Sequence, residues 1–245
     1  MSSAEHGVVV IAHRGASAHA PEHTFASYDL ALELGADVLE LDLRLTADGV
    51  PVVVHDRTLE RTADDPRRVA EVRLAELRRL DPAVRPLSLE QVLARYGDST
   101  RYLLDLKEPS APVEALVAES VARHRLGARV QVQTFSRPGL RRARRCDPGG
   151  SLAQLYPPLT TSARVRWDLV RVAAFAAAIG PHSAAVDAAL VQAAHARGLR
   201  VQPYTVNDPV EIERLLALGV DALITDAPER VRAALGLRPL LAAAA

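Results

Sequence analysis

Only one of the 245 residues is a cysteine, Cys146, so no intrachain disulfide can form and stability has to come from a packed core. Aromatic residues make up 4% of the chain, with a single Trp and a single Met, so Ala, Val and Leu must fill that core. The hydrophobic share of 49% is enough for a sizeable one. Net charge is missing as well. The 30 basic and 30 acidic side chains balance and the pI is about 7.1, so nothing points to a nucleic-acid partner. No apolar run reaches the roughly 18 residues needed to cross a bilayer, so no stable membrane insertion is expected. The opening Met1-Ser2-Ser3-Ala4-Glu5-His6 lacks the basic region and apolar stretch of a secretory signal. The expectation is a soluble, cytoplasmic protein.

What the chain does have is alternation. Short apolar runs, at 8–12, 38–43, 52–55, 102–106, 130–135, 152–155, 177–180, 199–206 and 222–225, read as strands. Between them, 21–34, 74–80, 89–96, 112–124, 138–145, 184–197, 209–218 and 228–235 read as helices. Strands alternating with helices imply parallel pairing and right-handed crossovers. The fold class is therefore α/β, and eight such units would close a (β/α)8 TIM barrel, a fold that commonly takes about 250 residues. One domain spanning residues 1–245 is expected. Nine strand runs are one too many, so one of the weak runs, 152–155 or 177–180, should fall outside the barrel. The connection 44–51 is shorter than the dozen or so residues of a parallel crossover, so the barrel should be irregular there, with a helix missing. The Ala-rich tail 240–245 should fray.

The strand ends carry the chemistry. The first ends in His13-Arg14-Gly15, the second holds Glu40-Leu41-Asp42, the third ends in His55-Asp56, and the fourth holds Asp105-Leu106-Lys107. On a parallel barrel these ends meet at one face, where barrel enzymes keep their active sites. Side chains alternate along a strand, so Glu40 and Asp42 share one side while Leu39, Leu41 and Leu43 take the other. The leucines suit an outer layer of helices, which turns the carboxylates toward the barrel mouth. Asp105 and Lys107 repeat the pattern. Three carboxylates that close cannot all stay ionised without a cation, and oxygen donors suit a hard divalent ion such as Mg²⁺ or Ca²⁺. Each of these residues alone has an ordinary structural explanation, such as a hydrogen-bonded histidine or a solvated lysine. Those explanations weaken jointly, because they must account for ionisable groups at four successive strand ends. His124, His195 and the cluster Arg141, Arg142, Arg144, Arg145 read as polar helix faces.

The blocks His13-Arg14-Gly15-Ala16-Ser17, Pro21-Glu22-His23-Thr24, Gly35-Ala36-Asp37 leading to Glu40 and Asp42, and Thr46-Ala47-Asp48-Gly49 leading to His55-Asp56 resemble the glycerophosphodiester phosphodiesterase family. So do Thr58-Leu59-Glu60-Arg61-Thr62, the run 86–93, Tyr204-Thr205-Val206-Asn207-Asp208 and the run 219–228. The resemblance implies a barrel, a divalent metal, Mg²⁺ or Ca²⁺, and hydrolysis of a small-molecule glycerophosphodiester to an alcohol and sn-glycerol 3-phosphate. By position it makes His13 and His55 the acid–base pair and Glu40, Asp42 and Asp105 the metal ligands. Arg14, Lys107, Glu22 and Tyr204 become substrate-binding residues.

Three departures from the family pattern stand out. Asp105 is one methylene shorter than the usual Glu, His23 stands for Asn, and Tyr204 for Trp. The segment 58–100 reads as helices around a trimmed version of the family's small insertion after the third strand. Two alternatives stay open: a lysophospholipase D-like phosphodiesterase, and a catalytically silent metabolite-binding barrel.

Overall fold

A computed structural model of the chain describes residues 7–237; the opening hexapeptide and the tail 240–245 lie outside the described residues. The strands in chain order are β1 (Val9–Ala12), β2 (Val38–Leu45), β3 (Pro51–Val53), β4 (Thr58–Leu59), β5 (Asp65–Arg68), β6 (Leu87–Ser88), β7 (Arg101–Leu106), β8 (Val130–Thr134), β9 (Ser151–Leu155), β10 (Ala178–Gly180), β11 (Arg200–Val201) and β12 (Ala222–Thr225). The helices are α1 (Phe25–Glu33), α2 (Glu60–Ala63), α3 (Leu74–Leu77), α4 (Leu89–Tyr96), α5 (Ala111–Arg123), α6 (Arg137–Cys146), α7 (Ser162–Ala173), α8 (Ala188–His195), α9 (Pro209–Ala217) and α10 (Pro228–Ala234).

Eight strands form a parallel sheet in the order β11-β10-β9-β8-β7-β2-β1-β12. Strand pairing is not continuous between the two ends of that path. Three backbone bonds cross the seam instead: Asp221 N–H to Val201 O, Ile224 N–H to Pro203 O, and Val206 N–H to Ile224 O. The architecture is the expected TIM barrel, irregular at this seam. Both weak runs are barrel strands, as β9 and β10, which corrects the expectation that one of them falls outside. The odd strand is β3, which pairs antiparallel with β2. The short connection after β2 explains this, because it can close a hairpin but not a crossover.

The alternation along β2 and β7 comes out as read. Leu39, Leu41, Leu43, Leu104 and Leu106 are buried in a cluster with Tyr28, Val92 and Val113 from α1, α4 and α5. Leu103 faces the other way, inside the barrel, with Ile11, Val38, Ala222 and Ile224. A second outer cluster joins α7 to α10 through Leu169, Leu190, Leu215 and Val231. The α7 helix was not anticipated, although Val165, Leu169 and Val172 repeat at helical spacing and are fully buried. The segment after β3 builds a small core of its own from Val52, Val54, Leu59, Val69, Val72 and Leu77. The arginine cluster on α6 is not wholly solvated. Arg142 pairs with the buried Glu114, and Arg144 donates to three backbone carbonyls.

Helix starts follow the capping chemistry of the sequence. Asp208 caps α9, accepting from the N–H groups of Val210 at 2.9 Å and Glu211 at 3.1 Å. Removing such a cap costs about 1 kcal/mol. Asp208→Ala should therefore lower the unfolding free energy by about 1 kcal/mol in urea denaturation, with an unchanged m-value. No loss would mean that water satisfies these donors equally well.

Candidate active site

The site begins with a turn. Directly after β1, Arg14 and Gly15 both take left-handed conformations, with φ of 62° and 85°. Only glycine fits at position 15, because a Cβ there would sit 2.2 Å from Ser27 Oγ. The turn is tied to the start of α1, since both His23 N–H and Ser27 Oγ donate to Arg14 O, at 3.0 Å each. It points Arg14 N–H at Glu40 Oε2, 2.9 Å away. The His-Arg-Gly sequence thus builds one side of a carboxylate pocket with its backbone.

Glu40, Asp42 and Asp105 are at most 2% exposed. Asp42 and Asp105 are register partners on β2 and β7. Lys107 Nζ bridges them, 2.8 Å from Asp42 Oδ1 and 2.6 Å from Asp105 Oδ2. On its other side, Asp42 Oδ2 meets His23 Nε2 at 3.0 Å and Arg14 Nε at 3.2 Å. Burial pushes Glu40 well above the carboxylate range, and the neighbouring Asp42 adds to that. Burial also acts on Asp42, but the cationic and hydrogen-bonding neighbours overcome it and hold Asp42 well below its ordinary value. Burial lifts Asp105 to about 6, against the pull of Lys107.

Two histidines stand at the rim, each with its Nδ1 on a carboxylate. His13 Nδ1 lies 2.6 Å from Asp226 Oδ1. Asp226 is itself held by Ser17 Oγ at 2.9 Å and Asn207 Nδ2 at 2.5 Å. Burial alone would raise Asp226, but the hydrogen bond and charge of His13 bring it down to about 2. His55 Nδ1 lies 2.7 Å from Asp56 Oδ1, and Arg61 Nε donates to Asp56 Oδ2 at 2.6 Å. Burial lowers the His55 pKa. His55 does not end a parallel barrel strand, as read from the sequence. The β2–β3 hairpin extends past the barrel and brings it back, with Val54 N–H on Asp42 O and the Arg44 guanidinium on His55 O at 2.7 Å.

The expected residues converge. The charges of Asp42, Arg14 and Lys107 act on His55, and that of His13 acts on Asp105. Tyr204 stands at the mouth between Phe135 and His182, its hydroxyl on Tyr156 O, within the fields of Asp105 and Lys107. Glu22 holds two arginines, Arg14 at 3.2 Å and Arg61 at 2.7 Å. Asp226, Asp56, Asn207 and Ser17 received no role from the sequence. The strand-end signal that found His13 also marks Asp226, the residue after β12, had it been applied to the last strand.

The donor set suits a divalent cation. Among the described residues, His23, Glu40 and Asp42 form a set of possible ligands whose donor atoms all lie within 4.8 Å of one another. Asp105 is outside that set, and its Oδ1 is buried with no hydrogen-bond partner. Buried carboxylates that raise one another's pKa are stabilised by a positive charge placed between them. Around that cluster stand two cations and two oriented imidazoles, a combination suited to binding an anion and moving protons at it.

Comparison with known proteins points the same way. A model of the "Glycerophosphoryl diester phosphodiesterase family" matches residues 13–230. The chain is 30% identical to a glycerophosphodiester phosphodiesterase of Bacillus subtilis, over 91% of this chain and 84% of that relative. It is 31% identical to one of Caldanaerobacter subterraneus, over 90% and 95%. Among solved structures, a phosphodiesterase of Oleispira antarctica in complex with the product sn-glycerol-3-phosphate superposes with a TM-score of 0.82 at 28% identity, covering 96% of this chain and all of that one (100%).

The depressed Asp226 pKa carries a pH signature. A carboxylate held at about 2, against an ordinary 3.8, adds stability that is fully present above pH 3.8 and lost as the pH falls toward 2. Asp226→Asn should cost about 1–2 kcal/mol at neutral pH. That gap between wild type and variant should close between about pH 4 and pH 2 in denaturant titrations. A gap independent of pH would show that the His13–Asp226 pair adds no electrostatic stability.

Proposed function

The chain belongs to the glycerophosphoryl diester phosphodiesterase family, and from that premise we propose that it hydrolyses a glycerophosphodiester to an alcohol and sn-glycerol 3-phosphate by two-histidine acid–base catalysis at a metal-assisted site. The observation that carries this reading is the placement of two Nδ1-anchored histidines beside a buried carboxylate–lysine–arginine cluster. The relative bound to sn-glycerol-3-phosphate supports the glycerol phosphate half of the substrate.

A phosphodiester monoanion repels nucleophiles and has a poor alkoxide leaving group. Arg14 and Lys107 answer the first difficulty by binding the phosphate oxygens, oriented by Glu22, Asp42 and Asp105. His13 and His55 answer the second. With Nδ1 held by Asp226 or Asp56, each ring keeps Nε2 for the substrate. One takes the proton of the glycerol hydroxyl as it attacks phosphorus, and the other protonates the departing alcohol. The cyclic phosphate so formed is then opened by water, with the two roles exchanged. Glu40 and Asp42 would hold a divalent cation, Mg²⁺ or Ca²⁺ on the expectation from the sequence, with Asp105 as the third carboxylate nearby. When bound, the cation supplies charge neutralisation and acidifies a substrate hydroxyl. No helix among the described residues is long and apolar enough to cross a membrane. The cytoplasmic location and the small-molecule substrate expected from the sequence remain part of this proposal.

A second reading takes a lysophospholipid as substrate. It is favoured by the exposed Phe135 and Leu159, 44% and 96% accessible, which follow the mouth-facing ends of β8 and β9.

Turnover of glycerophosphocholine, beside a lysophospholipid, tests these readings. His13→Ala and His55→Ala should each lower kcat about 10²–10⁴-fold while far-UV circular dichroism is unchanged. Near wild-type turnover in either variant makes that histidine structural. Exhaustive EDTA treatment should abolish turnover and added divalent metal restore it; full activity after chelation rules out the metal role.

A further inference from the structure

The position of His23 bears on which metal the site takes. His23 is 5% exposed and follows Glu22 in the turn before α1, with φ of 57°. Its backbone N–H is fixed on Arg14 O. Nε2 points at Asp42 Oδ2, 3.0 Å away, and Nδ1 at the Tyr28 hydroxyl, 2.8 Å away. Tyr28 is fully buried, so this partner cannot swing out to solvent. That is the usual arrangement of a metal-binding histidine: one ring nitrogen faces the carboxylate ligands, and the other is held by a hydrogen bond that sets the tautomer. The donor atoms of His23, Glu40 and Asp42 all fall within 4.8 Å of one another.

One oxygen of Asp105 is engaged elsewhere, while its Oδ1 is buried with no hydrogen-bond partner. Its Oδ2 is 2.6 Å from Lys107 Nζ, which also holds Asp42 Oδ1. With one methylene less than a glutamate, Asp105 has a shorter reach from the same strand position toward Glu40. Asp105 and His23, two of the three departures, therefore compensate. The carboxylate that stops short is tied to the lysine, and an imidazole stands on the opposite side of Asp42.

We propose that the metal ligands of this chain are Glu40, Asp42 and His23 Nε2, with Asp105 serving as the counter-charge of Lys107, and that the mixed nitrogen–oxygen set selects a borderline divalent ion such as Zn²⁺ over Ca²⁺. This rests on the metal-assisted reading above. Imidazole favours transition ions and Zn²⁺, whereas Ca²⁺ takes six to eight oxygens. With the ion on His23 Nε2, the single proton of the neutral ring would sit on Nδ1 and be donated to the Tyr28 hydroxyl.

The test is spectroscopic and does not depend on turnover. The full-length protein is stripped with chelator and loaded with one equivalent of Mn²⁺, and pulsed EPR looks for modulation from a directly bound ¹⁴N. The wild type should show it, and His23→Asn should bind Mn²⁺ without it. His13→Ala and His55→Ala should both retain it, which excludes the two rim histidines as its source even if His23→Asn does not fold. Calorimetric titration should give a Zn²⁺ affinity above that for Ca²⁺, with the preference reduced about 10–100-fold in His23→Asn and unchanged in Asp105→Asn. Bound Mn²⁺ with no ¹⁴N coupling, or coupling that disappears in His13→Ala or His55→Ala, overturns the His23 assignment and leaves the metal-assisted reading standing. Failure of the wild type to bind any divalent ion overturns both.

Discussion

Three carboxylates buried side by side on β2 and β7 set the terms for everything around them. Removing a carboxylate from water costs several kcal/mol even after relaxation, and neighbouring carboxylates add repulsion to that cost. Glu40, Asp42 and Asp105 can coexist because a positive or hydrogen-donating group reaches each of them. Lys107 comes from directly after the strand that carries Asp105, Arg14 from the turn after β1, and His23 from the loop before α1. Burial works against the Lys107 ammonium too, yet Asp42 and Asp105 hold its pKa above the ordinary lysine value. The cluster is a mutual neutralisation in which removing one member leaves an uncompensated charge inside the barrel.

That requirement explains why the turn after β1 has so little freedom. Arg14 contributes both its backbone N–H, to Glu40, and its guanidinium, to Asp42 and Glu22. Both contacts at once need two consecutive left-handed residues, and Gly15 makes room for Ser27 to close the turn from behind. Glu22 then links Arg14 to Arg61, which holds Asp56, which holds His55. A continuous chain of ion pairs thus runs from the buried cluster to one rim histidine. The other, His13, is fixed separately by Asp226.

The site is assembled from two directions. Barrel strands bring His13, Glu40, Asp42, Asp105 and Lys107 up from below. The β2–β3 hairpin reaches beyond the barrel and folds back, lowering His55 into place with Val54 bonded to Asp42 O. The small core formed by Val52 and Val54 of the hairpin with Leu59 and Val69 buries one of its faces. The segment after β3 therefore packs against the hairpin that carries a rim residue.

The sequence by itself determined the parallel α/β architecture, the inward side of Glu40 and Asp42, the outward side of Leu39, Leu41 and Leu43, and the gathering of ionisable groups at strand ends. These are local properties. A period of two, or a Gly after a left-handed turn residue, is a feature of one segment and survives being read alone. The sequence also held the reason that β3 is not a barrel strand, in a connection too short to cross over, but strand-like composition at 52–55 looks the same in either direction. Only the tertiary structure decided which carboxylate His13 meets, since His13 and Asp226 lie 213 residues apart and come together when β12 packs beside β1. It also decided that Asp105 turns to Lys107 while His23 turns to Asp42. Those choices depend on side-chain length and on which buried charge is nearest, quantities that exist only once the barrel has formed.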